Sequence, residues 1–201
     1  MNPAPTAHPT VAHPTVADPG RWAIATQVAI VLYTLLLVGD AIAGGTRSEF
    51  FLKTVALALP LMLAACGCFL AWLHRCRLNA EAFAPGTQHH SAGYAIGGWF
   101  IPVAMWWIPR RVVLDVWRAS GGAGSWLVET WWVAWLANTV GVVVIGRVTG
   151  SLGYDALSAG IHVVAAGLAV WLVQRVTAAQ RARAAAPARA ADHADAVPEA
   201  G

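Results

Sequence analysis

Residues 97–120 read GGWFIPVAMWWIPRRVVLDVWRAS, and this stretch decides how the rest of the chain is arranged. It is too apolar for a surface loop. The apolar run from Tyr94 to Ile108 would rise only about 22 Å as a helix, whereas the hydrocarbon core of a bilayer is about 30 Å thick. Pro102 interrupts even that run. We therefore expect residues 94–108 to form a short re-entrant or interfacial hairpin packed among spanning helices, because lipid cannot satisfy non-helical backbone.

The residues that follow predict an amphipathic helix over residues 109–120. Pro109 suits the first turn of a helix. Four apolar side chains share one face, and Arg111, Asp115 and Arg118 follow the i, i+4, i+7 spacing of the opposite face. We expect this helix to lie in the cytoplasmic interface of a membrane.

The composition is typical of a membrane protein. Of the 201 residues, 58% are hydrophobic and only 11% are charged, whereas soluble domains contain about 25% charged residues. Four apolar runs reach or approach the roughly 20 residues that span a bilayer as a helix; they cover residues 22–43, 51–73, 126–146 and 156–173. The sequence thus predicts an all-α integral membrane protein with four transmembrane helices, a short re-entrant or interfacial hairpin and an amphipathic interfacial helix.

The two ends of the chain differ from this core. Residues 1–20 are rich in proline and residues 176–201 are rich in alanine, with first basic and then acidic side chains. Both stretches offer little apolar surface to bury, so we expect them to be disordered tails on a membrane domain of residues 21–175. The first apolar run is longer than the core of a signal peptide, which favours an uncleaved first span.

The distribution of positive charge predicts the topology. If residues 94–108 do not cross the bilayer, ten arginines share one side and Arg47, Lys53 and Arg147 lie opposite, whereas a crossing would divide the charges four against nine. The positive-inside rule therefore favours four spans with both termini cytoplasmic, in the cell membrane. In this topology most of the 11 tryptophans also fall on the cytoplasmic side, which suggests a role beyond anchoring.

Two pairs of opposite charges at helical spacing suggest a binding face. Arg77 precedes Glu81 by four residues and Arg111 precedes Asp115 by four, so each pair could form on one helix. Arginines held near tryptophans could cradle a phosphate or an anionic lipid headgroup; the alternative is that they are positive-inside anchors with local salt bridges. The candidate ligand-binding residues are Arg77, Asn79, Glu81, Trp99, Arg110, Arg111, Asp115, Trp117 and Arg118.

Three polar residues lie inside or at the end of the apolar runs, namely Asp40, Asn138 and His162. Such residues can mark a pathway or a proton relay, but hydrogen bonding between neighbouring helices is the simpler interpretation. The sequence contains no metal-binding or cofactor motif and no common hydrolase or phosphotransfer signature. The net charge of +3 is too small and too dispersed for a nucleic-acid partner.

RCRLNAEAF at residues 75–83, together with the opening stretch, resembles a bacterial membrane family known as DUF4328, a domain of unknown function. The resemblance extends over roughly residues 51–175. It implies a multi-pass membrane protein and implies no activity, cofactor or partner.

Two functions remain open from the sequence. The first is a non-enzymatic membrane module whose cytoplasmic Arg/Trp face binds anionic lipid, a partner membrane protein or a second copy of the chain. The second is a membrane-embedded enzyme or small transporter that acts on a phosphate-bearing or lipidic ligand. In that case Glu81 or Asp115 would serve as the acid or base.

Overall fold

The computed structural model describes residues 16–195, with side chains to residue 186. Its helices are α1 (Gly20–Ile42), α2 (Glu49–Phe83), α3 (Ala92–Gly97), α4 (Ile108–Ala119), α5 (Trp126–Thr149) and α6 (Ala156–Asp195). Single 3₁₀ turns lie at Gly45–Arg47 and Ala104–Trp106. Residues 16–195 contain no strand, so the prediction of an all-α fold is confirmed.

Four of these helices are long and apolar enough to cross a membrane, namely α1, α2, α5 and the first 31 residues of α6. Helices α2, α5 and α6 each contain a predicted span, and α1 ends one residue before the end of the predicted span 22–43. Helix α2 is longer than its predicted span: the side chain of Ser48 accepts a hydrogen bond from the Phe51 amide at its start, and the helix continues past residue 73 to Phe83. Pro60 lies inside this helix.

The four long helices lie in the order α2, α1, α6, α5. Helix α1 packs against α2 and α6, and α5 packs against α6. Helices α3 and α4 belong to a segment inserted between α2 and α5, and α4 contacts both of these helices. The inserted segment therefore bridges the two outer members of the row.

The buried core is concentrated at the end of the bundle where α4 lies. Trp72 and Leu73 of α2, Val112 of α4, Val128 of α5 and Leu172 of α6 belong to one cluster of buried side chains. We call this the basic end, because Arg21, Arg75, Arg111, Arg118 and Arg175 also lie there. Towards the other end of the bundle the long helices expose many apolar side chains, as helices that contact lipid do.

In the inserted segment, a short stretch of irregular chain connects α3 to the 3₁₀ turn at Ala104–Trp106. The predicted hairpin at residues 94–108 consists of the end of α3, a series of turns and the 3₁₀ turn that leads into α4. The predicted helix at residues 109–120 is present as α4, but nine of its 12 residues are buried. Its apolar face consequently packs against protein, on α2 and α5.

Helix α6 continues past residue 173, where the last predicted span ends, and runs through residues 176–195 of the predicted C-terminal tail. Val176, Thr177 and Gln180 are buried. Alanine, arginine and glutamine are strong helix formers, and the first turns of this extension pack on the rest of the bundle. Residues 1–15 of the predicted N-terminal tail lie outside the described residues.

Candidate functional site

Arg77 is an internal crosslink at the basic end. Its Nε and Nη2 donate to the carbonyl of His90 at 3.1 and 2.6 Å, and its Nη1 donates to Glu81 at 3.0 Å. The predicted pair of Arg77 and Glu81 is therefore confirmed. The Arg77 side chain is only 7% exposed, so its guanidinium closes the loop between α2 and α3 and faces no open surface.

Glu81 binds the first residues of the same loop between α2 and α3. One carboxylate oxygen binds Arg77, and the other accepts a hydrogen bond from the amide of Gly86 at 2.9 Å. Gly86 has a φ of +72°, a left-handed conformation that favours glycine. The carboxylate thus connects Arg77 of α2 to the turn that follows the helix.

Asp115 binds the loop instead of its predicted partner. Its Oδ2 accepts a hydrogen bond from the backbone amide of His89 at 3.3 Å and lies 3.0 Å from the Nδ1 of the same residue. The predicted pair of Arg111 and Asp115 is wrong: Asp115 faces the interior and is 9% exposed, whereas Arg111 is exposed. The loop between α2 and α3 brings the two nitrogens of His89 to the buried side of α4. The Arg111 guanidinium lies on the outer side of the helix and does not reach Asp115.

Arg110 clamps α4 to α5. Its Nε donates to Oε2 of Glu129 at 2.6 Å, and its Nη2 donates to Oε1 of the same carboxylate. This two-point contact raises the pKa of Arg110 above its ordinary value, chiefly through the hydrogen bond to Glu129. Sequence reasoning missed Glu129 as a site residue, because 19 positions separate it from Arg110.

Trp99 of the inserted segment packs between α2 and α5. Its ring lies 5.6 Å from Phe69 of α2 and 5.6 Å from Trp135 of α5, both edge-on, and 6.3 Å from Trp132. Edge-to-face contacts of this kind stabilise aromatic clusters beyond the area they bury. The indole Nε1 is buried and has no hydrogen-bond partner in the described part of the chain. Trp99 is therefore a packing residue that holds the segment in place.

Trp117 fixes the turn after α4. Its Nε1 donates to the carbonyl of Gly124 at 3.1 Å. Gly122 lies directly against the indole, so that a Cβ at this position would overlap the ring. Gly122 is thus required for packing, whereas Gly121 and Gly124 have the positive φ values of +89° and +68° that suit a turn.

Asn79 holds the segment that precedes α1. Its amide nitrogen donates to the carbonyl of Ala17 at 2.8 Å and to Gln180 at 2.9 Å, and its oxygen accepts from the amide of Ala17 at 3.1 Å. Gln180 in turn donates to the carbonyl of Cys76 at 2.9 Å and to Ser120 at 3.2 Å. This buried network connects α2, α4 and α6, and sequence reasoning missed Gln180 because its stretch has the composition of a tail.

The three polar residues of the apolar runs bind different neighbours. Asp40 is fully buried on α1 and accepts a hydrogen bond from Thr54 of α2 at 2.8 Å. The Nε2 of His162 on α6 lies 3.2 Å from the hydroxyl of Thr34 on α1. The Oδ1 of Asn138 has no partner among residues 16–186. The first two join adjacent helices, as the simpler interpretation predicts.

Two arginines of the predicted set remain open to the surroundings. Arg111 and Arg118 are exposed on α4 and form no ion pair within residues 16–186. They lie seven positions apart, so they share one ridge of the helix about 10 Å long. Within the same described residues, no group of three or more His, Cys, Asp or Glu side chains could hold a metal ion.

The family model of a domain of unknown function, DUF4328, matches residues 33–178. The chain belongs to this family. The match confirms the resemblance and extends from the middle of α1 into α6, so the whole inserted segment lies inside the DUF4328 region. No curated protein and no solved structure matches the chain. The family description assigns no activity, and the site must be interpreted from its own geometry.

Proposed function

We propose that this DUF4328 protein is a non-enzymatic membrane module whose basic end lies in the cytoplasmic leaflet of the cell membrane and binds anionic lipid headgroups through Arg111 and Arg118. The observation that carries the proposal is that two arginines of this end have partners within the protein and two others do not. Arg77 and Arg110 are bound to partners within the protein, whereas Arg111 and Arg118 are exposed on one ridge of α4. A guanidinium without an internal partner is suited to a phosphate group.

Exposed aromatic and aliphatic side chains next to this ridge support a lipid surface as the ligand. Trp106 and Trp107 are 40% and 45% exposed at the start of α4, and Phe100 and Val103 are 72% and 65% exposed in the inserted segment. Tryptophan favours the membrane–water interface, and an exposed phenylalanine favours hydrocarbon. We infer that residues 94–108 form the re-entrant element, dipping into the same leaflet whose headgroups contact α4.

The distribution of charge supports the orientation. Ten arginines belong to the basic end and its extensions, and three basic residues belong to the opposite end. Both termini then lie in the cytoplasm.

The environment of the two acidic candidates favours binding over catalysis. Glu81 is bound to Arg77 and Gly86, and Asp115 is bound to His89. These hydrogen bonds order the loop between α2 and α3 and give each carboxylate a structural role. The enzyme or transporter alternative would require one of these carboxylates to act as acid or base.

The test is native mass spectrometry of protein released from nanodiscs that contain phosphatidylglycerol. We expect the double variant Arg111→Gln/Arg118→Gln to retain fewer phosphatidylglycerol molecules than the wild type. The matched control is Lys53→Gln/Arg147→Gln, which removes two charges from the opposite end and should retain as many as the wild type. Equal retention by the two double variants would show that the ridge is only an anchor. Loss of a stoichiometric protein instead of lipid would assign the ridge to a protein partner.

A further inference from the structure

A groove of about 610 Å³ lies between α1 and α6 at the basic end, away from α4. Gln27, Gln174 and Thr177 contribute polar groups to its lining, and Arg181 lies at one side. Much of the remaining lining is glycine and alanine, so the groove is open because its side chains are small. The α6 side of this groove includes the extension beyond residue 175, which has the composition of a disordered tail.

The polar groups of the groove include donors without an internal acceptor. The amide oxygen of Gln27 accepts from Gln174 at 3.0 Å, which leaves the Gln27 amide nitrogen as a donor. The hydroxyl oxygen of Thr177 accepts from Trp72 at 3.0 Å, which leaves the hydroxyl proton. Within the described part of the chain these two donors have no hydrogen-bond acceptor. The phosphodiester of a lipid headgroup offers acceptors only, so it is suited to accept from these donors.

Arg181 adds a charged donor that is partly engaged. Its Nε and Nη2 donate to the two carboxylate oxygens of Asp18, each at 2.8 Å. Its Nη1 has no acceptor within residues 16–186. The carboxylate orients the guanidinium at the groove and at the same time offsets its charge.

The surroundings of the groove are basic. Arg21 lies one helical turn from Ile24, and Arg175 lies one turn from Ala178; both of these apolar residues line the groove. Residues three apart share a helix face, and both arginines are exposed. With Arg181 and Asp18 offsetting each other, Arg21 and Arg175 leave an excess of two positive charges beside the groove.

We propose that this groove binds the headgroup phosphate of one anionic phospholipid molecule, through donors on Gln27, Thr177 and Arg181. The exposed rings of Trp22 and Trp171 lie on the same two helices, at the depth of the headgroups in the membrane placement proposed above. The site rests on that placement and is separate from the ridge on α4. The small side chains leave room for the glycerol backbone of the lipid.

Two variants that break the same ion pair test the proposal. Arg181→Gln removes a donor to the phosphate, and we expect retention of phosphatidylglycerol in native mass spectrometry to fall about tenfold. Asp18→Asn removes the competing carboxylate, and we expect retention to rise, because the full charge of Arg181 becomes available. A pair that is only structural would make both variants change retention in the same direction, and that result would overturn the proposal.

Two further variants test separately whether lipid retention depends on any nearby positive charge and whether it depends on the open volume of the groove. Arg183→Gln removes an equal charge two positions away, where the side chain donates to the carbonyl of Phe83 at 3.1 Å and faces α2. We expect this control to retain lipid as the wild type does. Ala178→Trp fills the groove without changing charge and should lose the lipid, provided that size-exclusion chromatography shows a folded protein. Retention by a folded Ala178→Trp variant would refute the site.

Two additional outcomes identify the source of the phosphate and distinguish this site from the ridge. If excess inorganic phosphate displaces the phosphatidylglycerol completely, the groove is a site for free phosphate and the lipid assignment is wrong. The Arg111→Gln/Arg118→Gln variant should leave the lipid that is sensitive to Arg181→Gln in place. Loss of that lipid from both variants would mean that the groove is not an independent site.

Discussion

Replacement of Arg77 by lysine should destabilise the protein although the charge is kept. In the structure the Arg77 guanidinium makes three hydrogen bonds, two to the carbonyl of His90 and one to Glu81. A lysine presents a single nitrogen on a different stem. It can keep the contact with the carbonyl or with the carboxylate, and it loses the fork that joins them.

The size of the effect follows from the hydrogen bonds that a lysine cannot replace. A hydrogen bond from a charged donor contributes about 1.5 kcal/mol or more, so the loss of two such bonds from a side chain that is 7% exposed should cost about 3 kcal/mol. For a chain of this length, 1 kcal/mol shifts the thermal midpoint by about 2–4 °C. The midpoint of Arg77→Lys should therefore fall by about 6–12 °C.

The assay is thermal unfolding in mild detergent, followed by tryptophan fluorescence. The matched control is Arg111→Lys, which makes the same exchange at an exposed position of α4. Exposed substitutions are usually within about 0.5 kcal/mol of neutral, so its midpoint should stay within about 2 °C of the wild type. An Arg77→Lys variant as stable as this control would refute the structural role that we assign to Arg77.

Three other predictions concern contacts at the basic end. A double-mutant cycle on Arg110 and Glu129 should give a coupling energy of about 1 kcal/mol, because the two-point pair is 35% exposed on each side; additive single variants would contradict the clamp. Gly122→Ala should lower the thermal midpoint, because a Cβ would overlap the ring of Trp117, and an unchanged midpoint would contradict the packing. The hydrogen bond from its arginine partner on α6 holds the pKa of Asp18 below its usual 3.8. The stabilisation by the ionised carboxylate is therefore present at neutral pH and is lost as the pH falls below that value. We expect Asp18→Asn to reduce the fall of the thermal midpoint below about pH 4. An identical dependence of the midpoint on pH in the variant and the wild type would contradict this linkage.

The features that depend on local periodicity were predictable from the sequence. The four long helices follow from runs of apolar residues, and the pair of Arg77 and Glu81 follows from their spacing of four on one helix. Both depend only on residues close together in the chain. The same rule failed for Arg111 and Asp115, because a spacing of four permits a pair without excluding a partner from another segment.

The contacts between distant segments were not predictable in this way. Arg110 meets Glu129 because of how α4 crosses α5, and no local pattern encodes that crossing. Gln180 lies in a stretch whose small and polar residues are typical of a disordered tail, whereas the structure places it in a buried network. Composition indicates that such a stretch can be solvated. It does not indicate that two turns of it pack against the bundle.

The proposed topology is the central claim, and accessibility of single cysteines in intact cells tests it most directly. In a variant whose native cysteines are replaced, cysteine is introduced at the exposed positions Thr87, Ala123 or Leu152 and treated with a membrane-impermeant maleimide. Thr87 and Ala123 lie near the two ends of the inserted segment, on either side of residues 94–108, and Leu152 lies between α5 and α6. We predict labelling of Leu152→Cys from outside the cell, and labelling of the other two only after the membrane is opened. Labelling of Ala123→Cys from outside while Thr87→Cys stays protected would mean that residues 94–108 cross the bilayer, and the four-span account would be wrong.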